Sequence, residues 1–219
     1  MLRALFQKTG SAVYISHLDL MRLFQRSFKR AGLPLTHTQG FNPRPSVSIA
    51  LPLSVGVESR CELLDFELET DRFSNEEIRS RLNQSLIDGV SVLEVYGGGK
   101  KIKELALLDC VAALQYDAGV PRDAQQRITE LFSREDVTVE KKGKNGTVAQ
   151  NIIPMIRSLA VVPGADGTLE IRARICCQNP SLNPMLLGAA ISKYLPDLSP
   201  DFIRISRAEI YDANETIFR

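Results

Sequence analysis

The chain has 219 residues, 44% hydrophobic and 24% charged, with 27 Lys+Arg against 26 Asp+Glu for a formal charge of +1. That length supports one large core or two small ones, and the charge balance excludes a histone-like polycation and an acidic tail protein. No stretch approaches the roughly 18 apolar residues of a membrane helix, and the start turns polar after Phe6, so neither a membrane partner nor a signal peptide is expected.

Residues 2–8 read as a strand, Thr9-Gly10 as a turn and Val13-Tyr14-Ile15 as a short extended segment. Ser16 then opens a helix: its side chain can cap the first turn, and Asp19 three residues on can bond back. Leu20, Leu23, Phe24, Phe28 and Ala31 recur at helical spacing and mark the buried face. Arg22, Arg26 and Lys29 or Arg30 fall on the other side, and Gly32 and Pro34 stop the helix. An irregular stretch from Gln39 to Pro45 leads to a strand over 46–51, and Leu64, Phe66 and Leu68 alternate with acids in a half-buried strand. Ser74-Asn75-Glu76-Glu77 is a capping box for a second helix carrying Ile78, Leu82 and Leu86, and residues 90–96 close the unit as a strand.

Gly97-Gly98-Gly99-Lys100-Lys101 is the best linker. A Walker phosphate loop would need Ser or Thr after its Gly-Lys, and Lys101 stands there instead. The rhythm then repeats: strand 107–116, helix 121–132 with Pro in its first turn, strand 137–141, a basic turn, a mixed stretch 151–162, strand 169–177, helix 184–194 and strand 202–211. The order β-α-β-β-α-β predicts an α+β fold of two ferredoxin-like (split βαβ) units side by side. Their expected bounds are 1–96 and 105–219, with 97–104 as linker.

The four cysteines, Cys61, Cys110, Cys176 and Cys177, show no CxxC spacing, and there are two histidines. A zinc or iron–sulfur site built by this chain alone is therefore not expected, and the reducing cytoplasm is the expected compartment.

The near-neutral total hides an uneven spread. Residues 1–60 hold eight Lys/Arg and two acids, a local +6, while the other 159 hold 19 bases and 24 acids. A stripe of Arg22, Arg26, Lys29 and Arg30, with Lys8 and Arg44 nearby in sequence, suits a phosphate backbone, though long basic side chains also solvate helix faces. Gln39, Asn42 and Arg44 offer hydrogen bonds, Phe41 an aromatic platform, and Pro43 and Pro45 stiffen the stretch. The plain alternative is a β-connection whose prolines protect an edge. Lys141, Lys142 and Lys144 form a second basic cluster, either a phosphate contact or a solvated turn. His17 and Asp19 invite a catalytic reading, against which Asp19 is simply a capping acid and His17 a first-turn polar residue.

Lys8-Thr9-Gly10, Ser16-His17-Leu18-Asp19-Leu20-Met21-Arg22, Gln39-Gly40-Phe41-Asn42-Pro43-Arg44-Pro45, Ala50-Leu51-Pro52-Leu53, Val55-Gly56-Val57-Glu58-Ser59 and Lys141-Lys142-Gly143-Lys144 follow in that order. In these motifs the chain resembles the bacterial radical-SAM-associated (radical-SAM-linked) domain family, over nearly its whole length and most specifically in residues 8–69. The resemblance implies a radical SAM protein as partner, because members are fused to, or encoded beside, B12-binding-type radical SAM proteins, often near genes for an RNA-processing nuclease and ribosomal proteins. It supplies an association and no reaction. This chain lacks a three-cysteine cluster loop, so no cofactor is expected on it, and S-adenosylmethionine and the iron–sulfur cluster would sit on the partner. Where relatives commonly place Asp before an Ile, this chain has Asn151-Ile152, which puts a catalytic acid there in doubt.

Three functions are consistent with these residues. The first is an accessory module that contacts RNA or an RNA-containing, ribosome-related substrate through Lys8, His17, Arg22, Arg26, Gln39, Phe41, Asn42 and Arg44, with Lys141, Lys142 and Lys144 secondary. The second is an adaptor that presents a protein substrate to the radical SAM partner. The third is an enzyme acting on RNA, with His17, Asp19, His37 and Arg44 around one pocket; no complete catalytic constellation supports it.

Overall fold

The computed structural model describes residues 1–143 and 146–219, so Lys144 lies outside the described residues. The chain is α+β and divides into two compact units, Met1–Ile102 with Arg219, and Lys103–Phe218. Among the described residues no helix is long and apolar enough to cross a membrane.

In the first unit β1 (Leu2–Lys8), α1 (His17–Arg30), β2 (Val47–Ile49), β3 (Val57–Phe66), α2 (Asn75–Asn83) and β4 (Val90–Gly97) follow in sequence. The strands lie in the order β4-β1-β3-β2, each neighbouring pair antiparallel. Both helices start as their sequence dictates: the Ser16 hydroxyl oxygen accepts the Asp19 N–H at 3.2 Å and Ser74 accepts the Glu77 N–H at 3.2 Å. Leu20, Phe24 and Phe28 of α1 and Ile78 and Leu82 of α2 pack with Ala4, Phe6, Leu64 and Phe66 of the strands. Phe6 meets Phe24 edge to face and Phe28 tilts on Phe66, each with ring centroids 4.9 Å apart, the preferred aromatic geometries.

Two expectations change here. Residues 13–15 do not run extended; Gly10–Tyr14 is a 3₁₀ turn. The half-buried strand is β3, and it is longer and buried on both faces, Glu62 and Asp65 included. Asp65 tolerates burial because Arg3, directly across the β1–β3 ladder, binds both of its oxygens at 2.5 and 2.9 Å.

The second unit contains β5 (Leu105–Gln115), α3 (Ala124–Phe132), β6 (Thr138–Gly143), β7 (Gly146–Asn151), β8 (Ile156–Pro163), β9 (Leu169–Cys176), α4 (Met185–Tyr194) and β10 (Phe202–Asp212). Its order is β10-β5-β9-β8, again antiparallel throughout. Among the described residues β6 and β7 pair only with each other, in the stretch between α3 and β8. The strand expected at 137–141 thus belongs to an inserted strand pair, and the stretch read as mixed supplies the sheet strand β8.

Desolvation pushes the buried Cys110 thiol up to about 12 and Cys177 to about 11, and Cys61 is also buried. Cys176 is partly exposed. The thiolate is the reactive form, so a thiol reagent at pH 8 is expected to modify Cys176 first in the native protein. Mass spectrometry of a timed labelling series checks this; Cys110 reacting as fast as Cys176 contradicts the burial.

Candidate functional site

The outer face of α1 is set by spacing alone. Arg22, Arg26 and Lys29, three or four residues apart, share one side of the helix, and all three are exposed. Their engagement differs. Arg22 donates to Asp19 at 2.9 Å, and Asp19 also accepts the Ser16 hydroxyl at 2.7 Å. Those two bonds, Ser16 first and Arg22 second, hold the Asp19 carboxyl below the usual range. Arg26 and Lys29 have no ion-pair partner among the described residues. Arg30 is exposed but tethered: its guanidinium donates to the Ser85 carbonyl and to the Ser27 hydroxyl.

The segment after α1 returns as a narrow loop. Thr38 N–H donates to the Arg44 carbonyl at 2.8 Å, Arg44 N–H donates to the Thr38 hydroxyl at 3.0 Å, and Ser46 N–H donates to the Thr36 carbonyl at 2.7 Å. His37 and Pro45 form a bridge at its base. Beyond them Gln39, Asn42 and Arg44 are exposed, and Phe41 is fully exposed at the tip. Gly40, at φ +135°, supplies a turn that other residues rarely adopt.

Loop base and helix meet in a cleft of about 330 Å³, walled by Gln25, Phe28 and Lys29 of α1, by His37 and Pro45, and by Glu69. The structure therefore brings the cationic helix and the proline-braced loop to one place. Gln25 and Lys29, rather than Arg22 and Arg26, line that cleft, and the i, i+4 spacing that puts Gln25 on one face with Lys29 was the signal that could have added it.

Other expected residues stand elsewhere. Lys8 is a correction: it is buried, and its ammonium donates to the carbonyls of Val13 at 3.0 Å and Ile15 at 2.8 Å. Burial lowers its pKa, and the side chain fastens the 3₁₀ turn to β1 rather than meeting a ligand. His17 is half-buried in the first turn of α1, its Nδ1 without a hydrogen-bond partner among the described residues. His37 adjoins Lys29, about 18 Å along the helix from His17 at 1.5 Å per residue. The set His17, Asp19, His37 and Arg44 is not gathered around one pocket. Lys141 and Lys142 lie in β6 opposite Val148 and Thr147, in the second unit. Among the described residues no group of three or more His, Cys, Asp or Glu is placed to hold a metal ion.

No curated protein matches the chain significantly. Among solved structures, a chain from the crystal structure of a Cbf5-Nop10-Gar1 complex is similar at 10% identity with TM-score 0.49, over 95% of this chain and 48% of that one. This chain thus spans about half the length of that relative. An unknown protein from Galdieria sulphuraria is similar at 9% identity with TM-score 0.26, over 94% of this chain and 96% of the other. The model of the bacterial family described as "Uncharacterized protein conserved in bacteria" (DUF2344) matches residues 1–184, most of the sequence, and the chain belongs to that family.

Proposed function

We propose that this protein is a non-catalytic accessory module that holds RNA, or an RNA-containing substrate, on the outer face of α1 and the loop of residues 36–46, and acts with a separate radical SAM enzyme. The observation that carries the reading is the meeting of Lys29 with the loop base in one cleft, with Arg26 exposed one turn earlier on α1 and Arg44 exposed next to Pro45 in the loop, none of the three having an ion-pair partner among the described residues. Cations without internal partners are available to displace counterions from phosphates. Gln39 and Asn42 add donors and acceptors, and the ladder bonds between Thr38 and Arg44 hold the loop before any ligand arrives. Both units read as ferredoxin-like, a reading supported by their matching strand orders, β4-β1-β3-β2 and β10-β5-β9-β8, the second with an inserted strand pair. The radical SAM partner rests on the motif resemblance, and the cluster and S-adenosylmethionine are assigned to that partner.

Fluorescence anisotropy with a labelled RNA over a salt series tests the binding. Three to four phosphate contacts give a slope of log K against log salt of about −2 to −3 on a single strand. Arg26→Ala, Lys29→Ala and Arg44→Ala are each expected to flatten it by about 0.7, and the triple substitution to lose most of the affinity. Binding indifferent to salt and to all three substitutions overturns the reading. Co-purification with a protein partner and no nucleic acid favours the adaptor instead.

A further inference from the structure

Aromatic side chains in the first unit span the range of burial, Phe73 and Tyr96 being half-buried. Phe6, Phe24, Phe28 and Phe66 are buried in the core, whereas Phe41 is fully exposed and Tyr14 is 70% exposed. Neither exposed ring fills a core. Tyr14 ends the 3₁₀ turn three residues before α1 begins, and Phe41 tips the loop whose base adjoins Lys29 near the other end of α1. Along the chain the two rings therefore stand towards opposite ends of α1, the helix that carries Arg22, Arg26 and Lys29.

The backbone that carries each ring is also anchored. The Lys8 ammonium binds the carbonyls of Val13 and Ile15, the residues on either side of Tyr14, and the Ile15 N–H donates to Ala12 at 3.0 Å. Lys8 thus fixes the backbone from which Tyr14 projects, a positioning role that explains a lysine buried at the end of a strand. The loop that carries Phe41 is closed at its base by the Thr38–Arg44 bonds and stiffened by Pro43 and Pro45.

We infer that the first unit is built for single-stranded rather than duplex RNA, with Tyr14 and Phe41 as stacking platforms at the two ends of the cationic face of α1. This rests on the RNA reading above and narrows its substrate class. Paired bases are already stacked and offer no free π-face, so a duplex would meet the cations and gain nothing from the rings. An unpaired strand can place a base on each ring and its phosphates on the arginines and lysine between, the arrangement of sequence-tolerant single-strand binders. Charge complementarity selects this occupant over an apolar protein segment, because Arg26 and Lys29 would lose hydration against such a segment without gaining an acid.

The test uses the full chain and labelled RNA of about 12 nucleotides, within the range of about 4–16 that one small domain covers, as a single strand and as its duplex. At equal salt the single strand is expected to bind at least about tenfold tighter. Tyr14→Ala and Phe41→Ala are each expected to weaken single-strand binding by about 5- to 150-fold, the usual worth of one stacked base. They should leave duplex affinity and the salt slope unchanged. Both residues are exposed, so the variants keep the fold, which circular dichroism verifies. Equal affinity for the two RNAs, or full affinity in both variants, overturns this inference while leaving the RNA reading standing. Binding of neither RNA overturns both.

Discussion

Replacing Arg3 by Met is expected to lower the unfolding free energy by about 3 to 5 kcal/mol, the cost of leaving one member of a buried ion pair without the other. Arg3 and Asp65 have side chains only 6% and 8% exposed. They face each other across the β1–β3 ladder in a two-toothed contact, the guanidinium Nε and Nη2 each donating to one carboxylate oxygen. The same guanidinium donates to the Lys100 carbonyl at 3.0 Å, and Asp65 raises the Arg3 pKa chiefly through the hydrogen bond. One interaction therefore holds β1, β3 and the glycine-rich stretch after β4 together. A domain stable by about 5 to 15 kcal/mol loses from about a fifth to all of that margin. Urea denaturation followed by circular dichroism measures the loss, and the double substitution Arg3→Met with Asp65→Leu separates charge from packing. Removing both charges is expected to restore most of the stability, because the desolvation of both ions disappears with their attraction. A single Arg3→Met variant as stable as the parent would show that water reaches the pair and that it contributes little.

That pair marks where the sequence stops being legible. Local rules sufficed for two helices: Ser16, Asp19 and the Leu20-Phe24-Phe28 spacing define α1, and Ser74 with Glu77 defines α2, whereas α3 begins at Ala124, after the Pro121 expected in its first turn. Such features depend on residues within one or two turns. Asp65 looked like the wet side of an alternating strand, because alternation reports two different faces and not which of them is dry. Lys8 looked like a surface cation for the same reason. Its burial depends on the Gly10–Tyr14 turn folding back over it, an event decided by the carbonyls it meets rather than by its neighbours in sequence. In the second unit the register shift between Ile156 and Ser158 breaks the period of β8, while β6 keeps a clean strand pattern although among the described residues it pairs only with β7. The candidate site was legible as composition, a +6 segment with a braced polar loop. Which cations remain available was not, since Arg30 is tethered by a carbonyl 55 residues away.

Gly89→Ala is expected to destabilise the first unit by at least about 2 kcal/mol, and the comparison with Gly10→Ala shows why. Both glycines have positive φ, +83° and +56°. Each substitution therefore carries the backbone cost of a left-handed alanine, about 1 to 2 kcal/mol. Around Gly10 an added Cβ meets nothing within 4 Å, but at Gly89 it comes 2.4 Å from the Thr9 carbonyl oxygen and 2.9 Å from the Ala12 Cβ. Thr9 cannot retreat freely, because its N–H donates to the Gly89 carbonyl at 2.7 Å. The strain passes into the turn that carries Tyr14 and supplies the acceptors of Lys8. Thermal unfolding of the two variants separates these terms: Gly10→Ala reports backbone strain alone, and the additional loss in Gly89→Ala reports the close approach of the β4 entry to the 3₁₀ turn. If Tyr14 stacks a base, Gly89→Ala should also cost single-strand RNA affinity at temperatures where the variant remains folded, whereas a substitution equally strained but far from Tyr14, such as Gly119→Ala at φ +86°, should not. Equal unfolding temperatures for Gly89→Ala and Gly10→Ala would mean that the turn yields without cost and that Lys8, not Gly89, fixes its position.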